Sequence, residues 1–199
     1  LAEAVTGSAT DNNHAACRFP TRAHWLYSQT GLGQPSLNCP AYDEWRELVN
    51  PEQATLVFAS DYLNSPSSMF GHTFLRLDAP GQTEDTRLLA YAINFAAETN
   101  TKNPFVFAFK GLTGGYPGLF SLMPYYEKVK EYSDMENRDL WEYQLSLTPD
   151  EVHLLISHLW ELRSVEFPYY FSTRNCSFQL LALMEVARPG LAMRKDFSM

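Results

Sequence analysis

Long apolar runs are missing from this chain: no stretch approaches the roughly 18 consecutive apolar residues that a membrane-crossing helix needs. Clusters of Lys or Arg are missing too, and the formal net charge is -8, so nucleic acid is not an expected partner. An anionic membrane surface would not attract the chain as a whole either. Cysteine is scarce, with three residues and no Cys-x-x-Cys pair, which weakens any metal-site reading. Gly111, Gly114, Gly115 and Gly118 lack the Gly-Lys-Ser/Thr ending of a phosphate loop, and no cofactor is expected. What is plentiful is apolar: 45% hydrophobic and 14% aromatic residues argue for a folded domain rather than a disordered chain.

Cys17 and Cys39 lie in an N-terminal region rich in Pro, Gly and Asn, whereas Cys176 is far away in sequence. The economical assignment pairs Cys17 with Cys39 and leaves Cys176 free. A metal is the weaker reading of the first two. A disulfide implies an oxidising compartment, where a retained free thiol suggests reactivity.

Residues 1–16 are small, polar and unpatterned, and read as a loose leader. The start at Leu1-Ala2-Glu3-Ala4 resembles a mature or trimmed terminus, and the finish at Phe197-Ser198-Met199 is abrupt, so further chain is expected to follow. Residues 17–199 read as one domain, opened by a helical clasp over about 17–50. There, Thr21 to Thr30 ends at Gly31, and Pro40 to Val49 carries Tyr42, Trp45 and Leu48 at helical spacing.

A β-rich body follows. Thr55 to Ser60 suits a strand covered on both faces; Phe70 to Leu77 and Arg87 to Phe95 are further strands, and Phe105 to Phe109 is read as a fourth. Gly111 to Pro124 reads as a glycine-rich loop or hairpin, and Asp139 to Leu147 as an alternating strand. Thr148-Pro149-Asp150-Glu151 is a capping box that opens a helix with Val152, Leu155, Ile156, Leu159 and Leu162 on its buried stripe. His153 and His158 fall outside that stripe and are expected in solvent. Glu127, Glu131 and Glu136, interspersed with Lys128 and Lys130, read as a solvated face. The expected fold is α+β: an antiparallel sheet with helices before and after it.

Cys176 sits where the polar loop 167–175 turns into the apolar helix Leu180 to Arg188, itself ended by Pro189-Gly190. A helix N-terminus stabilises a thiolate through unpaired N–H groups and the helix dipole. The rival reading makes Cys176 a core residue, since Cys176, Leu180, Leu183 and Ala187 follow the spacing of a buried stripe.

A nucleophilic thiol requires a base. Of five histidines, His72 is singled out: it starts a strand directly after Gly71, whose missing side chain leaves room for another group. Asn94, isolated in the apolar strand Ala90 to Phe95, either orients that imidazole or ends its strand in a turn. Asn175, Ser177, Ser68, Tyr62 and Tyr116 are candidates to contact substrate or an oxyanion. Leu112, Tyr116, Leu119, Phe120, Met123, Tyr125 and Tyr126 either line an apolar groove or pack in the core.

The order His72, Asn94, Cys176 resembles the circularly permuted papain-like, NlpC-type thiol fold, in which the histidine strand precedes the cysteine helix. Asn175-Cys176 matches the dipeptide of its lecithin:retinol acyltransferase group. Cys17-Arg18-Phe19-Pro20, Ser68-Met69-Phe70-Gly71-His72-Thr73-Phe74-Leu75-Arg76, Gly114-Gly115-Tyr116, Arg138-Asp139-Leu140-Trp141-Glu142-Tyr143 and Asn175-Cys176-Ser177 together resemble the Lnb N-terminal periplasmic domain family, long described only as a domain of unknown function.

That resemblance implies a bacterial envelope protein in the periplasm with a Cys–His site. It implies a thiol-dependent acyltransferase or hydrolase that takes an acyl chain from a phospholipid or other donor as a thioester. An amine such as a lipoprotein N-terminus would receive it, near a membrane reached through a C-terminal part beyond this chain. A cell-wall peptidase using the same pair, and a non-catalytic envelope binding domain, are the alternatives. The sequence sets no oligomeric state.

Overall fold

A computed structural model of the chain describes residues 12–31, 38–61, 71–99, 101 and 103–197. Three helices come first: α1 (Ala15–Arg18), α2 (Pro20–Thr30) and α3 (Pro40–Val49). Each of the two longer ones has Pro in its first turn and ends on a left-handed residue, Gly31 or Asn50. The Cys17–Cys39 disulfide, with Cα atoms 5.3 Å apart, ties α1 to the start of α3. Helix α1 begins inside the stretch read as leader, and Ala16 is buried.

Six strands follow in the order β5-β1-β2-β3-β4-β6 across one sheet, every neighbouring pair antiparallel. They are β1 (Gln53–Ala59), β2 (His72–Asp78), β3 (Tyr91–Ala97), β4 (Tyr116–Pro124), β5 (Leu140–Gln144) and β6 (Phe167–Tyr169). Two helices, α6 (Pro149–Leu162) and α7 (Cys176–Ala187), cover one face. Leu75, Leu77, Ile93 and Phe95 of the sheet meet Leu155, Ile156, Leu180 and Leu183 of the helices in the main core. The opposite face buries Val57, Ala59, Phe74 and Ala92 under Tyr125 and Tyr132. Tyr125 opens α5 (Tyr125–Val129), and Tyr132 belongs to the π-helical turn Lys130–Met135 that continues it. The fold is therefore α+β, and β1 is covered on both faces as its unbroken apolar run predicts.

The clasp rests on α6. Trp160 donates to the Cys17 carbonyl at 2.9 Å, the Arg22 amide donates to buried Glu161 at 3.0 Å, and the Tyr42 and Ser157 hydroxyls lie 2.7 Å apart. Expected features of α6 are present: Thr148 and Glu151 form the capping box, and the five stripe residues are buried. His153 is exposed, but His158 is not in open solvent: its side chain is half-buried against Glu161, 3.3 Å away.

Further sequence readings are corrected. Phe105 to Phe109 is no strand but part of α4 (Pro104–Thr113), capped by the Asn103 side chain on the Phe105 and Val106 amides and closed by Gly114 at φ 75. An apolar stretch of five carries no period, so the flanking Asn-Pro and Gly decide the conformation. The charged stretch is a solvated face only in part: Glu127 and Lys130 are exposed, but Lys128 is buried, donating to Glu131 at 2.7 Å and to Tyr132 at 3.4 Å. Of the groove candidates, Tyr116, Phe120 and Tyr125 are core, whereas Leu112 and Tyr126 are exposed. The stretch read as loop or hairpin contains the nine-residue strand β4.

Candidate functional site

The sheet opens where the site forms. Strand β2 pairs with β1 along its whole length, from His72 to Asp78, and β3 pairs with β4 from Tyr91 to Ala97. Between β2 and β3, however, the pairing covers only Leu75–Leu77 against Ile93–Tyr91. Beyond Leu75 the two strands part, and the N-terminus of α7 enters the gap. The backbone amide of Thr73 thus reaches the sulfur of Cys176, and the hydroxyls of Thr73 and Ser177 lie 2.9 Å apart, pinning helix to strand.

On this frame His72 Nε2 meets Asn94 Oδ1 at 2.6 Å. Because the Asn94 oxygen accepts, Nε2 carries the proton and Nδ1 is left to accept one. The imidazole is in turn close enough to the Cys176 thiol to act on it and lower its pKa. Asn94 is itself held, its Nδ2 donating to Ser121 across the β3–β4 pair at 3.4 Å. It lies within its strand and is buried, so it orients the imidazole rather than capping a turn.

Cys176 is only 6% exposed and is the free cysteine of the chain. Burial pushes its thiol up, but the hydrogen bond and charge of His72, joined by the Thr73 amide and the Ser177 hydroxyl, bring it down to about 7. Tyr169 approaches Cys176 through both its backbone and its sulfur; burial and that sulfur hold the phenol protonated, far above its ordinary range. Cys176, Leu180, Leu183 and Ala187 are all buried, so the core stripe and the His72 contact coexist.

Other predicted residues fare differently. Asn175 is the N-cap: its oxygen accepts from Phe178 N–H at 3.3 Å, and its Nδ2 donates to the Phe171 carbonyl at 3.2 Å. That side chain fixes the helix start and the loop before it. Ser177 faces Thr73, as described. Tyr116 is buried at the start of β4, in register with Tyr169, and packs against Phe107. Tyr62 and Ser68 lie outside the described residues.

Residue-by-residue reading missed the support for the imidazole. The Tyr132 and Phe74 rings flank His72 with centroids 5.8 and 6.1 Å away. Arg138 lies over Tyr132 at 4.6 Å and donates to the carbonyls of Ser60 and Ala59, at the end of β1 beside His72. Arg138 opens the block Arg138-Asp139-Leu140-Trp141-Glu142-Tyr143, which is its one signal in the sequence. Among the described residues, no three His, Cys, Asp or Glu side chains are grouped to hold a metal ion.

The molecule is thus an α+β domain with a Cys–His–Asn line at a helix start. The chain belongs to the Lnb N-terminal periplasmic domain family, whose model matches residues 41–198. That membership supports a periplasmic location. No curated protein and no solved structure matches the chain. Among the described residues, no helix is long and apolar enough to cross a membrane.

Proposed function

We propose that this domain transfers acyl groups through a thioester on Cys176. The observation that carries the reading is the continuous line from Asn94 through His72 to the Cys176 sulfur. Asn94 fixes the tautomer, His72 takes the thiol proton on Nδ1, and the sulfur attacks an ester or amide carbonyl. A C–S bond forms as the carbonyl π pair moves to oxygen. When the tetrahedral species collapses, the bond to the leaving group breaks and His72 returns the proton to it. An amine, or water, then attacks the thioester, gives its proton to His72, and restores the thiol. The Tyr169 hydroxyl lies against both the Cys176 amide and its sulfur, and that amide and hydroxyl would supply the oxyanion contacts, each commonly worth about 3 kcal/mol.

The acyl donor that fits this family's periplasmic setting is a phospholipid, with a lipoprotein N-terminus as the amine acceptor. A circularly permuted papain-like layout agrees with the order of histidine strand and cysteine helix. The test is incubation with a diacyl phospholipid, followed by intact-mass measurement. A mass gain equal to one acyl chain, removable by hydroxylamine and missing in Cys176→Ala, is the expected result. Labelling that survives in Cys176→Ala overturns the mechanism. Cleavage of peptidoglycan fragments with no acyl gain from phospholipid assigns the same pair to a cell-wall peptidase.

A further inference from the structure

Helix α4 is apolar apart from Lys110 and Thr113 in its last turn, yet it is covered on one side only. Phe107 and Gly111 face inward: the Phe107 ring lies 5.1 Å from that of Phe171, and the Gly111 carbonyl accepts from the Phe171 amide at 2.9 Å. Phe105, Phe109 and Leu112, at 86, 68 and 62% exposure, form with Val106 a stripe at i, i+1, i+4 and i+7 on the outside. An outward helix face made of large apolar side chains is ordinarily covered by something. This stripe amounts to about 450 Å² of apolar side chain, taking a few hundred Å² at most for each aromatic residue.

We propose that the outer face of α4 docks onto a phospholipid bilayer surface, with Phe105, Val106, Phe109 and Leu112 set among the acyl chains. Charge favours this occupant. The chain as a whole carries -8, but between Glu98 and Glu127 its only charged residues are Lys102 and Lys110. Between Glu166 and Glu185 the only one is Arg174. Arg174 lies over Tyr170, whose ring packs on Gly114 at the end of α4, and Lys110 lies over Tyr116. Lys110 and Arg174 therefore stand near the end of the apolar stripe, with Glu98 as an acidic neighbour of Lys110, and two cations to one carboxylate there suit anionic headgroups. A second copy suits it less, since a stable dimer buries roughly 800 Å² per partner.

The placement also serves the site. Phe171, which α4 holds, accepts from Asn175, the cap immediately before Cys176. Docked lipid would lie beside the loop that presents the sulfur. This last consequence rests on the acyl-transfer reading; the docking itself does not.

The test is co-sedimentation of the protein with vesicles of mixed phosphatidylethanolamine and phosphatidylglycerol, compared with Phe105→Ser/Phe109→Ser. Both side chains are exposed, so the variant should melt with the parent. The expected result is a bound fraction about tenfold or more lower in the variant. Parent binding should also weaken with added salt. Cys176→Ala should sediment as the parent does, so failed acyl chemistry and failed docking are separate outcomes. Equal sedimentation of variant and parent overturns the proposal. So does a parent that ignores vesicles but forms a dimer lost in the variant, which would give the face to a second copy.

Discussion

His72 and Asn94 meet at 2.6 Å where their two strands have ceased to pair with each other. The ladder between β2 and β3 ends at Leu75 and Ile93, so the backbone of Thr73 faces α7 and its amide serves the Cys176 sulfur. A continuous ladder would occupy that amide and close the gap. Ending the pairing early is what lets a strand, a second strand and a helix start share one site.

Asn94 acts through His72, and its replacement should reveal that. In Asn94→Ala the imidazole loses its tautomer constraint, and thioester formation should slow by roughly 10²-fold, as for other disturbed general bases. Asn94→Asp keeps an acceptor for Nε2–H and should recover most of the rate. Its carboxylate favours the imidazolium, so the pH–rate profile should move to higher pH. A profile that stays in place while the rate falls would reduce Asn94 to a packing role.

The thiol itself should titrate early. With Cys17 and Cys39 bridged, alkylation by iodoacetamide reports Cys176 alone. The rate should follow a midpoint near pH 7, because the His72 interactions lower the thiol against the effect of burial. Removing them in His72→Gln leaves burial opposed only by the Thr73 amide and the Ser177 hydroxyl, so the midpoint moves up. At pH 7 the alkylation rate should then fall about tenfold or more. An unchanged midpoint would mean that His72 does not act on the sulfur.

Gly71 is fixed by space as well as by φ. It stands at φ +82, and a Cβ there would meet the Phe58 ring at 2.5 Å and the Ala59 carbonyl at 3.0 Å. Gly71→Ala should cost about 1–3 kcal/mol, read as a lower Tm. Thioester formation should fall further than the loss of folded protein explains, because His72 is the next residue. A normal rate in the folded fraction would show that the strand start can shift without moving the imidazole.

Much of this site was legible as local chemistry. Asn175 before Cys176 is a cap before an apolar helix, Gly71 before His72 marks a tight strand start, and Asn94 is conspicuous in an apolar strand. The capping box at Thr148 fixed its helix for the same reason. What escaped was set by distant packing. Tyr132 stands in a charged stretch, and only the burial of Lys128, paired with a half-exposed Glu131, reveals a π-turn folded beneath the sheet. The contact of Tyr169 with Cys176 is equally invisible, because β6 is a three-residue strand placed by its pairing with the distant β4. Helix α4 is not legible either, because five apolar residues in a row show no periodicity.

The disulfide should govern stability without governing the site. Cys17 and Cys39 are 22 residues apart, so their bond is worth about 3 kcal/mol through the restricted unfolded chain. Cys17→Ser/Cys39→Ser should therefore lower Tm by roughly 6–12 °C for a domain of this size. The clasp has other anchors on α6, the Trp160, Glu161 and Ser157 contacts, and should stay docked below that temperature. The sulfur of Cys176 is held by β2 and α7, which the clasp does not support through any of those bonds. Its alkylation midpoint should thus stay near pH 7 in the variant. A midpoint that rises together with the loss of the bridge would show the clasp to be part of the site, and the periplasmic redox state would then reach Cys176 through it.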